Sequence, residues 1–279
     1  MILGDFHIRL VRAGVYHWDG GAVFGVVPKT LWSRLAAPDE LNRVPLGFNC
    51  YVVETGDHTV LVETGGGDRL DARMLHRLGM PRQLPSLPEI LAEVGIEAER
   101  IDLVVNTHLH WDHCSGNCIL REGRYRPAFP NARYVTQRGE RQHAHQRHPR
   151  DSVSYRDENY EPLIESGDMQ LLDGGCEVAP GIEVRVAPGH NRDMMVVIAR
   201  SHGQTFCMFS DLIPTEWHVQ PTWVAAFDLN PLTAIDEKIK LLTQAAREDW
   251  WCGFAHDTGI AFAKISEDKD RFEVYGKIS

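Results

Sequence analysis

The sequence predicts an α/β or α+β fold, and three observations carry that expectation. Short apolar runs rich in Val, Ile and aromatic residues recur along the chain, and most stop at Gly, Asp, Asn or His, as strands do. Two of these runs, in FNCYVVETGDHTVLVETGG, are joined by GDHT, which reads as a β-hairpin. Helical periodicity appears in a few stretches set between or after such runs, so strands and helices are interleaved.

Each element follows from its residues in order. IRLVRAGVYHW opens the chain as a strand, and the hairpin follows. PSLPEILAEVG has a Ser before a Pro, then Ile90, Leu91 and Val94 on one face, then a Gly stop, the start and end signals of a helix. IDLVVNTH and ARYVTQ are the next strands. The polar, His- and Arg-rich stretch at about 137–165 reads as a helix-and-loop excursion. IEVRVAPGH, MMVVIARS and QTFCMFSD are strands again. PLTAIDEKIKLLTQAAREDW places Ile235, Ile239, Leu242 and Ala246 at helical spacing, and WWCGFAHD and RFEVYG close the chain as strands. No low-complexity linker or letter repeat divides the chain, so one domain over 1–279 is expected.

Composition narrows the function. The chain has 279 residues, 43% hydrophobic and 24% charged, ordinary values for a globular protein with a full core. A net charge of −10 argues against a nucleic-acid partner, because phosphate-backbone binding needs a basic face. No stretch approaches the length of apolar sequence that a membrane span requires. The N-terminus lacks the features of a signal peptide. Cysteines at 50, 114, 118, 176, 207 and 252 form no CxxC pair, so free thiols in a cytoplasmic protein are expected.

Residues 107–117, THLHWDHCSGN, gather His108, His110, Asp112 and His113 on the loop that leaves the strand IDLVVNTH. Imidazole and carboxylate suit Zn²⁺ and similar divalent ions. Four ligands crowd a single catalytic metal that must keep an open position; the set could divide between two metals. Further strand-like runs end in APGH, FSD and FAHD, and each points one polar group (His190, Asp211, His256) out of an apolar segment.

HLHWDH matches the HxHxDH signature, so the chain resembles the metallo-β-lactamase superfamily; APGH, SDL and AHD fall in the order of its later ligands, from about residue 44 to 256. PKTLWSRLAAPDELNRVPLGFNCYVVETG, FPNARYVTQRGE and SDLIPT are similar to the quorum-quenching lactonase-like branch. The resemblance implies an αββα sandwich of two mixed β-sheets flanked by helices, with metals at one edge. It implies His108, His110 and His190 on a first metal, Asp112, His113 and His256 on a second, and Asp211 bridging both. The cofactors implied are two divalent ions, Zn²⁺ by default, with Mn²⁺, Fe²⁺ or Co²⁺ also compatible. A hydroxide held between the metals would attack an ester or lactone carbonyl, with Asp112 relaying a proton.

The sequence departs from the family at three places. Glu63, in LVETGGG, stands where the family carries the Asp of a DTG motif, and is expected to hydrogen-bond an imidazole ligand. The His190 motif continues as GHNRDM instead of GHTPG. Pro214 stands where well-studied acyl-homoserine lactonases place a Tyr that contacts the substrate carbonyl; His218, in IPTEWH, is the candidate replacement, with an orienting or exposed His as the alternative.

Trp217, Trp223 and Phe24 are candidates for an apolar substrate pocket, with Trp18, Trp32 and Phe227 also considered and core packing as the alternative for each. His143, His145 and His148 read as a solvated polar loop, Cys114 as a packed thiol, and the GGG at 65–67 as a tight turn near the metals. The function expected is a dinuclear metal-dependent hydrolase of lactones or related carboxyl esters. The alternatives are an arylesterase or phosphotriesterase using the same site, and, in another class, a non-catalytic metal-binding or sensor protein. The partners expected are a small-molecule lactone or ester, with neither nucleic acid nor membrane; the excursion at about 137–165 is the candidate for a lid or a homodimer contact.

Overall fold

The computed structural model of the chain describes residues 1–269 and 271–279. Its strands in chain order are β1 (Ile2–Leu3), β2 (Phe6–Asp19), β3 (Arg43–Glu54), β4 (Thr59–Val62), β5 (Leu103–Val105), β6 (Cys118–Arg121), β7 (Arg124–Pro127), β8 (Arg133–Gln137) and β9 (Met169–Leu172). They continue as β10 (Cys176–Ala179), β11 (Ile182–Val186), β12 (Met195–Ser201), β13 (Gln204–Met208), β14 (Trp251–Gly253), β15 (Phe262–Asp268) and β16 (Arg271–Ile278). One seven-stranded sheet runs β1-β2-β3-β4-β5-β8-β9, a second runs β10 to β16 in sequence order, and β6-β7 form a two-stranded ribbon. Both large sheets are mixed: β4, β5, β8 and β9 pair in parallel, as do β13 and β14. β3 and β4 form the expected hairpin, closed by the Thr55 amide donating to the His58 carbonyl at 2.9 Å.

Two-residue alternation sets the layers. Along β3, Tyr51 and Val53 meet Val197 and Phe206 of the other sheet, whereas Cys50 and Val52 face outward and pack with Leu87 and Leu91 of the helix Leu87–Glu93. Along β12, Val197 and Ala199 point inward, while Val196 and Ile198 pack under the helix Pro231–Arg247. The result is helix, sheet, sheet, helix, the sandwich that the resemblance implied.

Two helical faces differ from their sequence expectation. Leu87–Glu93 begins with a reciprocal Ser86/Glu89 capping box and buries Leu87 and Leu91. Val94 is the cap residue, outside the last turn, and is exposed. In Pro231–Arg247 the buried stripe is Ala234, Lys238, Leu241, Leu242 and Ala245, and Ile239 faces solvent. The stripe is rotated because Lys238 sits inside, donating to the carbonyls of Gln220 at 3.1 Å and Trp223 at 2.6 Å. Apolar periodicity alone places a lysine outside.

Burial pulls the Lys238 amine down to about 7, against the opposing pull of Asp228. The sign of the pH effect follows. The unfolded amine keeps its proton up to about 10.5, so between the two values the unfolded state binds more protons and stability rises with pH. In urea unfolding, the wild type is expected to gain about 2 kcal/mol more than Lys238→Met between roughly pH 7.5 and 9.5. Equal gains in both proteins would show that Lys238 keeps an ordinary pKa.

The topology brings the site together. β4, β5 and β8 run parallel, as do β13 and β14. The residues that follow β5, β13 and β14 therefore emerge at one edge of the sandwich, where the β11–β12 connection also passes.

Candidate metal centre

After β5 the chain bends at Thr107 and His108, passes through an extended His110 and then turns into the short helix Trp111–Cys114, which carries Asp112 and His113. His190 lies between β11 and β12, Asp211 in a single turn after β13, and His256 just beyond β14. Fine backbone contacts hold the first loop. The His113 carbonyl accepts from the Thr64 amide at 2.8 Å and from Asn106 Nδ2 at 3.3 Å. Two non-glycine residues beside the site, Glu63 and Ser210, have left-handed backbones with φ of 66° and 51°, a conformation that costs energy and concentrates at functional positions. Thr107 ties them together: its hydroxyl contacts both the Glu63 carboxylate and Ser210 Oγ.

The seven side chains converge. His108, His110 and His190 bring ligand atoms within 4.8 Å of one another, and so do Asp112, His113 and His256. Asp211 lies between the sets: its Oδ1 is 3.0 Å from His256 Nε2 and 3.2 Å from His113 Nε2, and its Oδ2 is 3.5 Å from His190 Nε2 and 4.0 Å from His108 Nε2. Glu63 also approaches His108 and His113, but its Oε1 faces His113 Nδ1 at 3.3 Å, behind the ring. It orients that imidazole and leaves Nε2 free.

Hydrogen bonding shows that these residues fit metal ions. His256 Nδ1 meets the Gly47 carbonyl at 2.8 Å, an acceptor only, so Nδ1 carries the proton and Nε2 presents a lone pair. His113, with Nδ1 on Glu63, does the same. Yet the two Nε2 atoms stand 3.2 Å apart, and such facing lone pairs repel unless a cation or proton lies with them. The first set repeats the pattern. His190 Nδ1 donates to Asp228 Oδ1 at 2.9 Å, and its Nε2 lies 3.0 Å from His110 Nδ1. His108 Nε2 and Asp211 Oδ1 are buried with no hydrogen-bond partner among the described residues, and a buried polar atom is costly when unsatisfied. Divalent cations would complete both sets.

Charge settles in the same place. Burial works against ionising Asp211, but the imidazoles of His113, His256 and His190 hold its carboxyl well below the usual range. Burial drives His108 and His110 well below the ordinary histidine value, which keeps them neutral, as ligands must be. For His113, burial is outweighed by the carboxylates of Asp211, Asp112 and Glu63, and the net direction is upward.

A cavity of about 350 Å³ opens over the cluster and is lined by His110, Asp112, His190, Asp211 and His256. Its organic walls include Trp18, Leu46, Trp111 and Phe227. Residues of the excursion, from Arg150 to Arg156, form one side of it, so that segment closes over the site as a wall.

Three groups matter here that motif reading did not single out. Tyr16, from β2, lines the cavity and donates to Asp112 Oδ2 at 3.1 Å. Burial first, then the charges of Asp112 and Asp211, raise its phenol well above the ordinary value, so it stays a donor. Glu140, in the helix Arg138–Gln146, accepts from the Leu109 amide at 2.9 Å and from the Tyr155 hydroxyl at 3.0 Å, pinning the loop between His108 and His110. Asp228 orients His190. All three lie far in sequence from the residues they hold, and no spacing rule finds them.

Other sequence-predicted residues lie elsewhere. His218 is not a cavity residue: its Nε2 donates to the Val23 carbonyl at 3.0 Å and its Nδ1 pairs with the Thr215 hydroxyl at 2.8 Å. It stacks on Phe24, and burial, helped by Lys238, lowers its pKa to about 3. It therefore has no free donor for a substrate carbonyl and does not replace the tyrosine absent at 214. Phe24 is fully buried against Trp32, and Trp217 and Trp223 pack around the same ring. These aromatics form the core behind the cavity, while Trp18, Phe227 and Pro214 reach it. The reason is the chain path: the segment after Asp211 turns away at Pro214 into a short helix, Glu216–Val219, that packs inward. Cys114 is buried, with burial foremost in raising its thiol far above the ordinary value, which rules out a thiolate nucleophile. All six cysteines are free. The glycines at 65–67 form a turn against the metal-loop helix: the Ser115 amide donates to the Gly65 carbonyl at 3.0 Å, and a Cβ on Gly67 would lie 2.7 Å from the Ser115 oxygen. No helix among the described residues is long and apolar enough to cross a membrane.

Residues 43–223 match the family model described as the metallo-beta-lactamase superfamily. An N-acyl homoserine lactonase of Bacillus cereus is 27% identical over 168 residues, 55% of this chain and 58% of the relative. The N-acyl homoserine lactonase AiiA of Bacillus thuringiensis subsp. kurstaki is 26% identical over 168 residues, with the same coverage. The match thus spans little more than half the length of these curated relatives. Among solved structures, a "probable metal-dependent hydrolase" from Staphylococcus aureus is 28% identical over 100% of both chains, with a TM-score of 0.89. A dizinc quorum-quenching lactonase shares the fold, with a TM-score of 0.80 at 18% identity over 100% of this chain and 97% of its own.

Proposed function

The chain belongs to the metallo-beta-lactamase superfamily, and from that premise we propose that it is a dinuclear metal-dependent hydrolase that opens lactones, acyl-homoserine lactones among them, or cleaves related carboxyl esters. The observation that carries the reading is Asp211, one oxygen toward each histidine set, at the floor of an otherwise largely apolar cavity. The N-acyl homoserine lactonases among its relatives support the substrate class.

His108, His110 and His190 would hold one ion, Asp112, His113 and His256 the other, and Asp211 would join them, with Zn²⁺ the expected metal. Two such ions supply Lewis-acid chemistry, lowering the pKa of a bound water toward 7 and polarising a carbonyl. The chain's own residues do the rest. Asp228, Glu63 and the Gly47 carbonyl fix the tautomer and angle of three imidazoles. Tyr16 donates to Asp112 Oδ2 and so orients the carboxylate that would hold the second ion. Trp18, Leu46, Trp111 and Phe227 receive the organic part of the substrate and exclude water around the reacting carbonyl.

The test is to load the protein with Zn²⁺, count ions per chain, and follow ring opening of short- and long-chain acyl-homoserine lactones by mass. Turnover with kcat/KM of about 10⁴ M⁻¹s⁻¹ or more is expected, and it should disappear in His110→Ala. Two bound ions without ring opening or ester cleavage would overturn the reading.

A further inference from the structure

The cavity carries three guanidiniums that hydrolysis of a neutral lactone does not call for. Arg77, Arg150 and Arg156 all line it. None has a carboxylate partner among the described residues. Arg150 reaches only the Ala226 carbonyl, and Arg156 places Nη2 2.8 Å from the Met74 sulfur, a weak acceptor. Among the acids of the cavity, Asp112 and Asp211 lie within the candidate metal cluster, and Asp151 pairs Oδ2 with His143 at 2.7 Å and makes no ion pair with an arginine among the described residues, its Oδ1 being buried without a partner. Arg150 also lines a neighbouring cavity of about 840 Å³ together with Arg192, His143 and His148, where Arg192 is paired with Asp193 at 2.8 Å and His143 with Asp151.

This concentration sits on a chain of net charge −10. At long range such a protein repels anions, so solubility does not account for three uncompensated guanidiniums at one mouth. Guanidinium is the side chain suited to oxyanions, because its fork of N–H donors matches carboxylate, sulfonate or phosphate oxygens. Of the apolar walls, Leu46 and Trp111 are buried and Trp18 and Phe227 half-buried, whereas Arg77 and Arg150 are exposed and Arg156 half-buried.

We propose that the substrate is an anionic ester or lactone: an apolar body seated over the metal cluster, with a negatively charged oxyacid group held by Arg77, Arg150 and Arg156. The proposal rests on the hydrolase reading and adds the charge class of the substrate. Arg150 and Arg156 belong to the excursion, so that segment selects substrates by charge as well as walling the site.

The experiment compares two phenyl esters of equal length in the Zn²⁺-loaded protein. One has an acyl chain ending in a sulfonate, which ligates metals poorly; the other ends in an uncharged methyl sulfone. The sulfonate ester is expected to show kcat/KM at least about tenfold higher, carried by KM. The preference should shrink as NaCl rises from roughly 20 to 500 mM and fall toward one in the Arg77→Gln/Arg150→Gln/Arg156→Gln variant. Carboxylate- and phosphate-ended esters then rank the oxyacids. A second readout does not depend on turnover: quenching of tryptophan fluorescence by hexanesulfonate against hexanol, reported by Trp18 and Trp111 in the cavity wall. Tighter binding of the sulfonate, lost in the triple variant, supports the proposal even if neither ester is cleaved, a result that would count against the hydrolase reading alone. Cleavage of both esters at equal kcat/KM, or equal binding of the two hexyl probes, would overturn the proposal and leave the hydrolase reading standing.

Discussion

Replacing Asp211 by Ala is expected to lower turnover by about three orders of magnitude or more and to leave at most one metal ion per chain, because in the proposed two-metal clamp one carboxylate would serve both halves. Its Oδ1 lies 3.0–3.2 Å from His256 and His113, and its Oδ2 faces His190 and His108. Among the described residues no other acid stands between the two sets: Asp112 belongs to one of them, and Glu63 lies behind His113. Removing the carboxylate also removes the charge that the surrounding imidazoles share, so a second cation would have to enter a site of neutral rings. Metal analysis after dialysis and steady-state rates on the best ester check both parts. Undiminished stoichiometry of two ions per chain would show that Asp211 does not join the sites.

Tyr16→Phe is expected to cost about tenfold to a hundredfold in kcat, with a parallel loss in affinity for the ion held by Asp112, the usual effect of removing a group that orients a ligand. The phenol is buried, stays protonated, and donates to Asp112 Oδ2 at 3.1 Å. Phenylalanine keeps the ring stacked on Phe48, 4.5 Å between centroids, so the fold should be unaffected and the loss should trace to the hydroxyl. Metal titration separates this role from simple packing: a packing residue would change thermal stability and leave affinity alone. Unchanged kcat together with unchanged affinity would remove Tyr16 from the site.

Much of the molecule could be read along the chain because its signals are local. HLHWDH places four metal-capable side chains within one loop, and APGH, FSD and FAHD each end an apolar strand with one polar group. Strand composition and the GDHT turn predict the hairpin for the same reason: turn chemistry and alternation act over a few residues. The capping box at Ser86 and Glu89 is equally local.

What escaped sequence reading depends on which way a face turns. The 3.6-residue period locates the helix Pro231–Arg247 but does not tell that Lys238 points inward, since that depends on two carbonyls supplied by Gln220 and Trp223. His218 lies only a few residues past Asp211, yet the turn at Pro214 carries it behind the cavity, where Thr215 and Val23 use both ring nitrogens. Phe24, Trp217 and Trp223 follow it into that core. Conversely, Tyr16, Glu140 and Asp228 reach the metal residues from strands, helices and loops remote in the chain. The sequence by itself thus determined the strand-and-helix class and which side chains could ligate metal, because residue type and short-range spacing carry both. Only the tertiary structure decided which groups orient those ligands, which aromatics face the cavity, and that three arginines share its mouth, because these depend on contacts between residues that nothing local relates.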